Sequence, residues 1–158
     1  MNIFFYISIG IIVLCIVALL YGHYLFNAKN WNDSDTARIR IGSLTVQAEV
    51  AASAEKKNKG LSGRTELAED VGMLFIFTKP YRYPFWMKGM LIPLDFIWIN
   101  DGRVVDVHTN IPYPADGEFP TTIMPAEAVD MVLEVQAGIV ERYGITTGDT
   151  VSIARNDN

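Results

Sequence analysis

A carboxylate and an imidazole lie one residue apart in the sequence, at Asp106 and His108. Residues 103–108 have the composition of a β-strand, in which side chains two positions apart point to the same face. A carboxylate that orients an imidazole is the arrangement of many general bases. The pair therefore predicts either a hydrolase-like site or a strand-surface pair that hydrogen-bonds a neighbouring loop.

Four further charged residues are candidates for the same site: Arg64, Lys88, Asp95 and Glu134. Asp95 follows a Pro-Leu pair at a predicted strand start, where a carboxylate commonly accepts backbone or lysine donors. We expect Asp95 to form an ion pair with Lys88 or Arg64 that fixes two strands. In a catalytic site, Lys88 or Arg64 would supply the positive charge.

Aromatic and sulphur-containing side chains form a second set of binding candidates. Trp86 and Met87 could line an apolar ligand pocket, and they fit a hydrophobic core as well. Aromatic residues in loops indicate a binding surface more directly, because Tyr and Trp dominate recognition hot spots. The predicted loops supply Tyr81, Tyr83, Tyr113 and Phe119.

The sequence lacks other side chains that catalytic and metal sites commonly use. It has no serine in a nucleophile elbow, and its one cysteine, Cys15, lies in an apolar run. The second histidine, His23, follows that run and does not indicate a metal site with His108. We therefore predict no metal and no cofactor, and we favour a protein that is not an enzyme over catalysis by Asp106 and His108.

Hydrophobic periodicity predicts the elements that position these residues. Residues 37–41 and 44–50 alternate apolar with polar side chains around Gly42-Ser43, which predicts an antiparallel hairpin. A serine and a glycine bound a short helix at 54–59, whose lysines are expected to form a solvated face. Residues 72–77 are apolar throughout and predict a central strand covered on both faces.

The middle of the chain predicts a loop, a broken strand and a second hairpin. Two prolines favour a loop at 78–84, and a strand at 85–88 ends at Gly89. Residues 94–99 are expected to pair with 103–108 across an Asp-Gly turn.

The last third begins with a long predicted loop at 109–122. It continues with a turn of helix and a strand within 126–135, a helix at 136–143 and a strand at 151–153. The sum is a mostly antiparallel α+β domain, partly barrel-like, with about seven or eight strands and two short helices.

An apolar segment precedes this domain. Residues 1–26 contain no Asp, Glu, Lys or Arg, and the run 3–20 would span roughly 27 Å as a helix, close to the thickness of a bilayer core. No basic residue precedes the run and no Ala-x-Ala motif ends it, which disfavours a cleaved signal peptide. We predict a transmembrane anchor at 1–26 that contacts the bilayer through 3–20, a linker at 27–36 and a globular domain at 37–158.

An N-terminal anchor followed by a globular domain is most simply a signal anchor, with the domain outside the cytoplasm. The formal net charge is -5, and all of it belongs to the part of the chain after the anchor. Because binding to a phosphate backbone requires clustered Lys and Arg, nucleic acid is not an expected partner.

The order and spacing of several motifs resemble the family called domain of unknown function 192, from Ala37 to Ile153. The motifs are Gly60-Leu61 with Arg64, Gly72-Met73-Leu74-Phe75 with Phe77, Phe85-Trp86-Met87-Lys88, Ile92-Pro93-Leu94-Asp95, His108, Pro125-Ala126, Leu133-Glu134 with Gly138, Gly144-Ile145, Gly148-Asp149 and Val151. The resemblance implies a small, often exported or membrane-tethered domain of bacteria and archaea, without an established activity.

Two departures from the family pattern lie near the Phe-Trp-Met-Lys motif. The family usually continues with Asn and a small hydroxyl residue where this chain has Gly89-Met90, and Ser62 replaces a methionine that is common after Gly-Leu. If those polar groups bind a ligand in relatives, the contact is altered here.

Three functional hypotheses follow. The first is a membrane-tethered, non-enzymatic module that binds a small ligand or an envelope protein. The second is a hydrolase-like enzyme that uses His108 and Asp106. The third is a purely structural domain in which the motifs specify the fold alone.

Overall fold

The computed structural model of the chain describes residues 12–16 and 31–156. The chain divides into two compact units, Met1–Trp31 and Asn32–Asn158. In the first unit, residues 12–16 are helical and exposed, and the rest of the predicted anchor lies outside the described residues. Among the residues that the structure describes, no helix is both long enough and apolar enough to cross a membrane.

Nine strands and two short helices make up the described part of the second unit. In chain order they are β1 (Thr36–Ile41), β2 (Leu44–Ala51), α1 (Ala54–Lys59), β3 (Val71–Tyr81), β4 (Phe85–Trp86), β5 (Leu94–Asn100), β6 (Arg103–Ile111), β7 (Thr122–Ile123), β8 (Val129–Gln136), α2 (Ile139–Tyr143) and β9 (Val151–Arg155).

Seven strands form one sheet in the order β6-β5-β8-β3-β2-β1-β9, and β4 pairs with β7 in a separate two-stranded sheet. All neighbours in the large sheet are antiparallel except β2 and β3, which run parallel because α1 connects them. The mostly antiparallel α+β fold with two short helices is therefore confirmed.

Hydrogen bonds bring the two edges of the large sheet together at one end. The N–H of Val104 in β6 donates to Asp149 O at 2.9 Å, and Gly148 N–H donates to Val104 O at 2.8 Å. Val151 N–H, at the start of β9, donates to Gly102 O at 2.8 Å. Since β6 and β9 are the outer strands, these bonds show that the sheet curls toward a barrel, as predicted.

One face of the curled sheet carries the core that underlies the site described below. Phe75, Phe96 and Trp98 are buried on this face, with Met87 and Met90 packed in the same cluster. Burial of such side chains contributes roughly 1.5–3 kcal/mol each to the free energy of folding.

Both predicted hairpins are confirmed. Ile41 pairs with Leu44 across a turn in which Gly42 has a positive φ of 56°. Asn100 pairs with Arg103 across the Asp-Gly turn. The helix at Ala54–Lys59 is also confirmed.

The predicted loop at 78–84 is wrong in its first half, because β3 continues to Tyr81. The pairing of β3 with β8 is irregular between Ile76, which faces Met131, and Tyr81, which faces Val129. A bulge of this kind leaves residues without ladder partners, so it tolerates the missing N–H of Pro80.

The predicted helical turn near Ala126 is also wrong, because the chain bends there without forming a helix. Side chains bind its backbone groups: the Arg82 guanidinium donates to Pro125 O at 2.8 Å, and Ala126 N–H donates to Asp106 Oδ2 at 2.8 Å. Gln136 belongs to β8, and α2 begins only after Gly138, which adopts a left-handed conformation with φ 90°.

Candidate functional site

A pocket of about 540 Å³ opens between α1, the turn that follows it, β3 and the segment around β4. Its wall is mostly apolar and aromatic, and it includes two lysines and one carboxyl group. The lining residues are Ala54, Lys57, Asn58, Lys59, Gly60, Leu61, Ser62, Phe75, Phe77, Tyr83, Pro84, Phe85, Trp86, Met90, Thr122 and Glu134. Pockets of this size and character commonly hold small organic molecules.

Helix α1 is held by caps at both ends. At its start, Lys56 N–H donates to the Ser53 hydroxyl at 3.1 Å. At its end, Gly60 N–H donates to Lys56 O at 2.8 Å, with Gly60 at a φ of 50°. A Cβ at Gly60 would lie 3.5 Å from the Phe75 ring, so the end of the helix rests on the pocket wall.

Contacts between rings fix the aromatic wall. Phe77 and Tyr83 stack with centroids 3.7 Å apart, and the Tyr83 hydroxyl donates to Lys79 O at 2.7 Å. Phe85 makes edge-to-face contacts with Phe75 at 4.9 Å, and further contacts of this type join it to the core below. Because these rings support one another, the wall is preorganised for a ligand.

Glu134 places a carboxyl group in this apolar wall. It lies in β8 opposite Met73 of β3 and Phe96 of β5, so its side chain shares their face of the sheet. Only 5% of the residue is exposed, and its Oε2 atom has no hydrogen-bond partner. Burial away from water raises the pKa of Glu134 from 4.5 to about 8, so the carboxyl group is mainly protonated at neutral pH.

Two lysines lie over aromatic rings that line the pocket. The Lys57 ammonium is 4.7 Å from the centroid of Phe77, and the Lys88 ammonium is 5.2 Å from the centroid of Trp86. Partial burial lowers the pKa of Lys57. The pocket therefore combines a buried acid, aromatic surfaces and cations.

The family model of domain of unknown function 192 (DUF192), described as "Uncharacterized ACR", matches residues 37–153. The chain belongs to the DUF192 family. None of the curated proteins compared with this DUF192 chain is a significant match.

Two solved structures are similar to this DUF192 domain. One is a candidate transcription regulator from Sinorhizobium meliloti 1021, with 31% identity and a TM-score of 0.66; the match covers 75% of this chain and 92% of that chain. The other is a protein of unknown function from Novosphingobium aromaticivorans DSM 12444, with 34% identity and a TM-score of 0.63; the match covers 74% and 83% of the two chains.

Asp95 has a structural role in the DUF192 domain, and its expected ion pair with Lys88 or Arg64 is wrong. The residue is fully buried, and its two oxygens accept the N–H groups of Asn110 at 2.7 Å and Val140 at 2.9 Å. Arg64 instead pairs with Glu49 at 2.6 Å.

Asp106 and His108 do not form the predicted acid–base pair. The Asp106 carboxylate accepts the N–H groups of Val107 and Ala126, each at 2.8 Å. His108 Nδ1 accepts the indole N–H of Trp98 at 2.6 Å. The alternative, in which a strand residue hydrogen-bonds a neighbouring loop, describes Asp106.

The other predicted site residues lie partly at the pocket and partly elsewhere in the domain. Tyr83 and Trp86 line the pocket, Lys88 lies over Trp86, Met87 is buried in the core, and Tyr113 is exposed in the loop before β7. In the described part of the DUF192 chain, no group of three or more His, Cys, Asp or Glu side chains could hold a metal ion.

Sequence reasoning missed part of the wall and one edge of the pocket. Phe75 and Phe77 fit the predicted central strand. Their spacing in the sequence does not indicate that α1 leaves their side chains uncovered in a pocket. Lys57 and Lys59 were expected to lie on a solvated helix face. Glu134 carried a clearer signal, because it is a charged residue near the end of the otherwise buried half of β8.

Proposed function

We propose that the domain binds a small organic molecule whose apolar or aromatic body lies between the pocket rings and whose amine reaches Glu134. The observation that carries this proposal is the unpartnered Oε2 of Glu134 in the pocket wall. A buried polar atom without a partner costs about 1–3 kcal/mol, which a donor on a ligand would recover.

An amine fits the site better than a neutral donor for two reasons. A positive charge beside Glu134 would favour the ionised carboxylate that burial now disfavours. The rings of Phe75 and Phe85 also attract cations, by about 0.5–2 kcal/mol for each well-placed ring.

The two other hypotheses receive less support from the geometry. A hydrolase that uses Asp106 and His108 would need the two side chains to interact, and each is bonded elsewhere. A purely structural role does not account for Glu134, because an apolar residue of similar volume would fill the position without the cost of a buried unpaired acid. One similar structure is described as a candidate transcription regulator, and the net charge of -5 of this chain does not favour binding to a nucleic-acid backbone.

Titration with 2-phenylethylamine, followed by calorimetry, tests the proposed function. We expect saturable binding to the wild-type domain at pH 7 and at least about tenfold weaker binding to Glu134→Gln, which keeps the shape of the side chain but cannot ionise. The matched control is Glu127→Gln, which removes one acid from an exposed position and should leave the affinity unchanged. Equal affinity for wild type and Glu134→Gln would contradict the proposal.

We also propose that residues 3–20 insert into a lipid bilayer and hold the domain outside the cytoplasm. The length and the uncharged composition of this run support the proposal. The expressed chain should remain with membranes after an alkaline wash, whereas a chain that begins at residue 27 should be released. Protease added to intact spheroplasts should digest the domain, and protection of the domain would contradict this orientation.

A further inference from the structure

We infer that the ligand is amphoteric: opposite its amine it carries a carboxylate or phosphate group, which Lys57, Lys59 and Lys88 bind at the rim of the pocket. This inference rests on the proposed function, because it adds a second charged group to the ligand that Glu134 holds. It also depends on separate residues and can fail separately.

Within the part of the chain that the structure describes, the lysines at the rim form no ion pair, and Lys57 receives only a longer-range favourable interaction from Asp33. Neither Lys57, Lys59 nor Lys88 lies within 4.0 Å of a described carboxylate oxygen. Lys56, on the same helix, is by contrast 4.0 Å from Glu49 and donates to Asp33 O at 2.6 Å. The cations on the pocket side of the helix are therefore less fully paired than Lys56.

Two separate segments bring these cations to the same wall. Lys57 and Lys59 come from the last turn of α1, where basic residues also complement the helix dipole. Lys88 follows β4 and lies over the Trp86 ring. Because Lys88 is not part of α1, the helix dipole does not account for its position. Convergence of the two segments on rings that line one pocket points to a shared anionic group.

Partial burial of Lys57 supports the same conclusion. Its ammonium lies over Phe77, and loss of water around it disfavours the charged form. Asp33 offsets only part of this cost, and an anion placed beside Lys57 would offset more of it, as a ligand amine would offset the cost of burying Glu134. The opposite charge preferences of the wall and the rim would also fix the direction in which the ligand enters.

Three matched probes test the inference by calorimetry at pH 7 and low salt: 4-(2-aminoethyl)benzoate, 2-phenylethylamine, which lacks the carboxylate, and 4-ethylbenzoate, which lacks the amine. We expect 4-(2-aminoethyl)benzoate to bind about five- to tenfold more tightly than 2-phenylethylamine. This gain should decrease as salt is added, because the rim is open to solvent.

The double variant Lys57→Gln/Lys59→Gln should lose most of the gain, so that 4-(2-aminoethyl)benzoate binds it hardly more tightly than 2-phenylethylamine does. The matched control, Arg38→Gln/Arg40→Gln, removes the same charge from exposed positions of β1 and should keep the gain. Melting curves confirm that each variant is folded.

The outcomes distinguish failure of the amphoteric ligand alone from failure of both proposals. The amphoteric ligand is overturned, and the proposed function stands, if 2-phenylethylamine binding depends on Glu134 but 4-(2-aminoethyl)benzoate binds no more tightly. The same conclusion follows if 4-(2-aminoethyl)benzoate keeps its tighter binding in the lysine variant. If 4-ethylbenzoate binds as tightly as 4-(2-aminoethyl)benzoate and Glu134→Gln changes neither, the rim binds anions without an amine, and both proposals are overturned. Failure of all three probes to bind also overturns both.

Discussion

Replacement of Asp95 by alanine is expected to destabilise the domain by about 4 kcal/mol. The carboxylate is fully buried and accepts one N–H from Asn110, near the end of β6, and one from Val140, in the first turn of α2. Alanine would leave both donors without an acceptor and open a cavity between elements that are 15 and 45 residues from Asp95 in the sequence.

Urea unfolding measures this effect, and Asp106→Ala is the matched control. Asp106 also accepts two backbone N–H groups, but it is only partly buried, so water can replace the lost acceptor. We expect a loss of about 1 kcal/mol for the control. If Asp95→Ala is no more destabilising than Asp106→Ala, the carboxylate does not have the structural role assigned to it.

Local structure could be read from the sequence because its causes are local. The turns at Gly42-Ser43 and Asp101-Gly102 need residues that tolerate positive φ, and alternating side chains determine which faces of the strands are buried. These signals lie within a few residues of the elements that they define.

Contacts between distant elements could not be read in the same way. The sequence placed Asp95 correctly at a strand start, but it did not show which donors a curled sheet brings there. A cation is the simplest partner to expect for a carboxylate, and the structure supplies two backbone N–H groups instead. The proximity of β5 to β8, and of β3 to β8, depends on the order of strands in the sheet.

In the candidate site, too, residue types could be predicted from the sequence, but the contacts between distant elements could not. Tyr83 and Trp86 were predicted as binding residues from their types, and both line the pocket. The pocket itself exists because α1 and the segment 83–86 leave part of the β3 face uncovered, which depends on helix placement. Glu134 could have been singled out further, because an acid in a central strand requires either a partner or a function.

The stability of the ligand-free domain is expected to fall by about 4 kcal/mol between pH 4.5 and pH 8 because of Glu134. Its pKa is about 8 in the folded state against an ordinary value of 4.5. Below pH 4.5 the group is protonated in both states. Between the two values only the unfolded chain loses the proton, so the folded state binds more protons and becomes less stable as pH rises, by about 1.4 kcal/mol per pH unit.

Urea unfolding of wild type and Glu134→Gln across this pH range isolates the contribution. Asp130 also has a raised pKa because of partial burial and acts in the same direction, but it is present in both proteins. The difference between them therefore reports Glu134 alone. We expect Glu134→Gln to be the more stable protein at pH 8, and parallel pH profiles for the two proteins would contradict the assignment.

The ligand should reverse this dependence. An amine bound to Glu134 favours the ionised carboxylate, so binding of 2-phenylethylamine at pH 7 should release a proton from the wild-type domain and none from Glu134→Gln. Calorimetry in two buffers with different ionisation enthalpies measures that proton. If Glu134→Gln is more stable than wild type at pH 8, removal of the carboxyl group favours folding. If the same variant also loses ligand binding and proton release, Glu134 serves binding and not the stability of the fold.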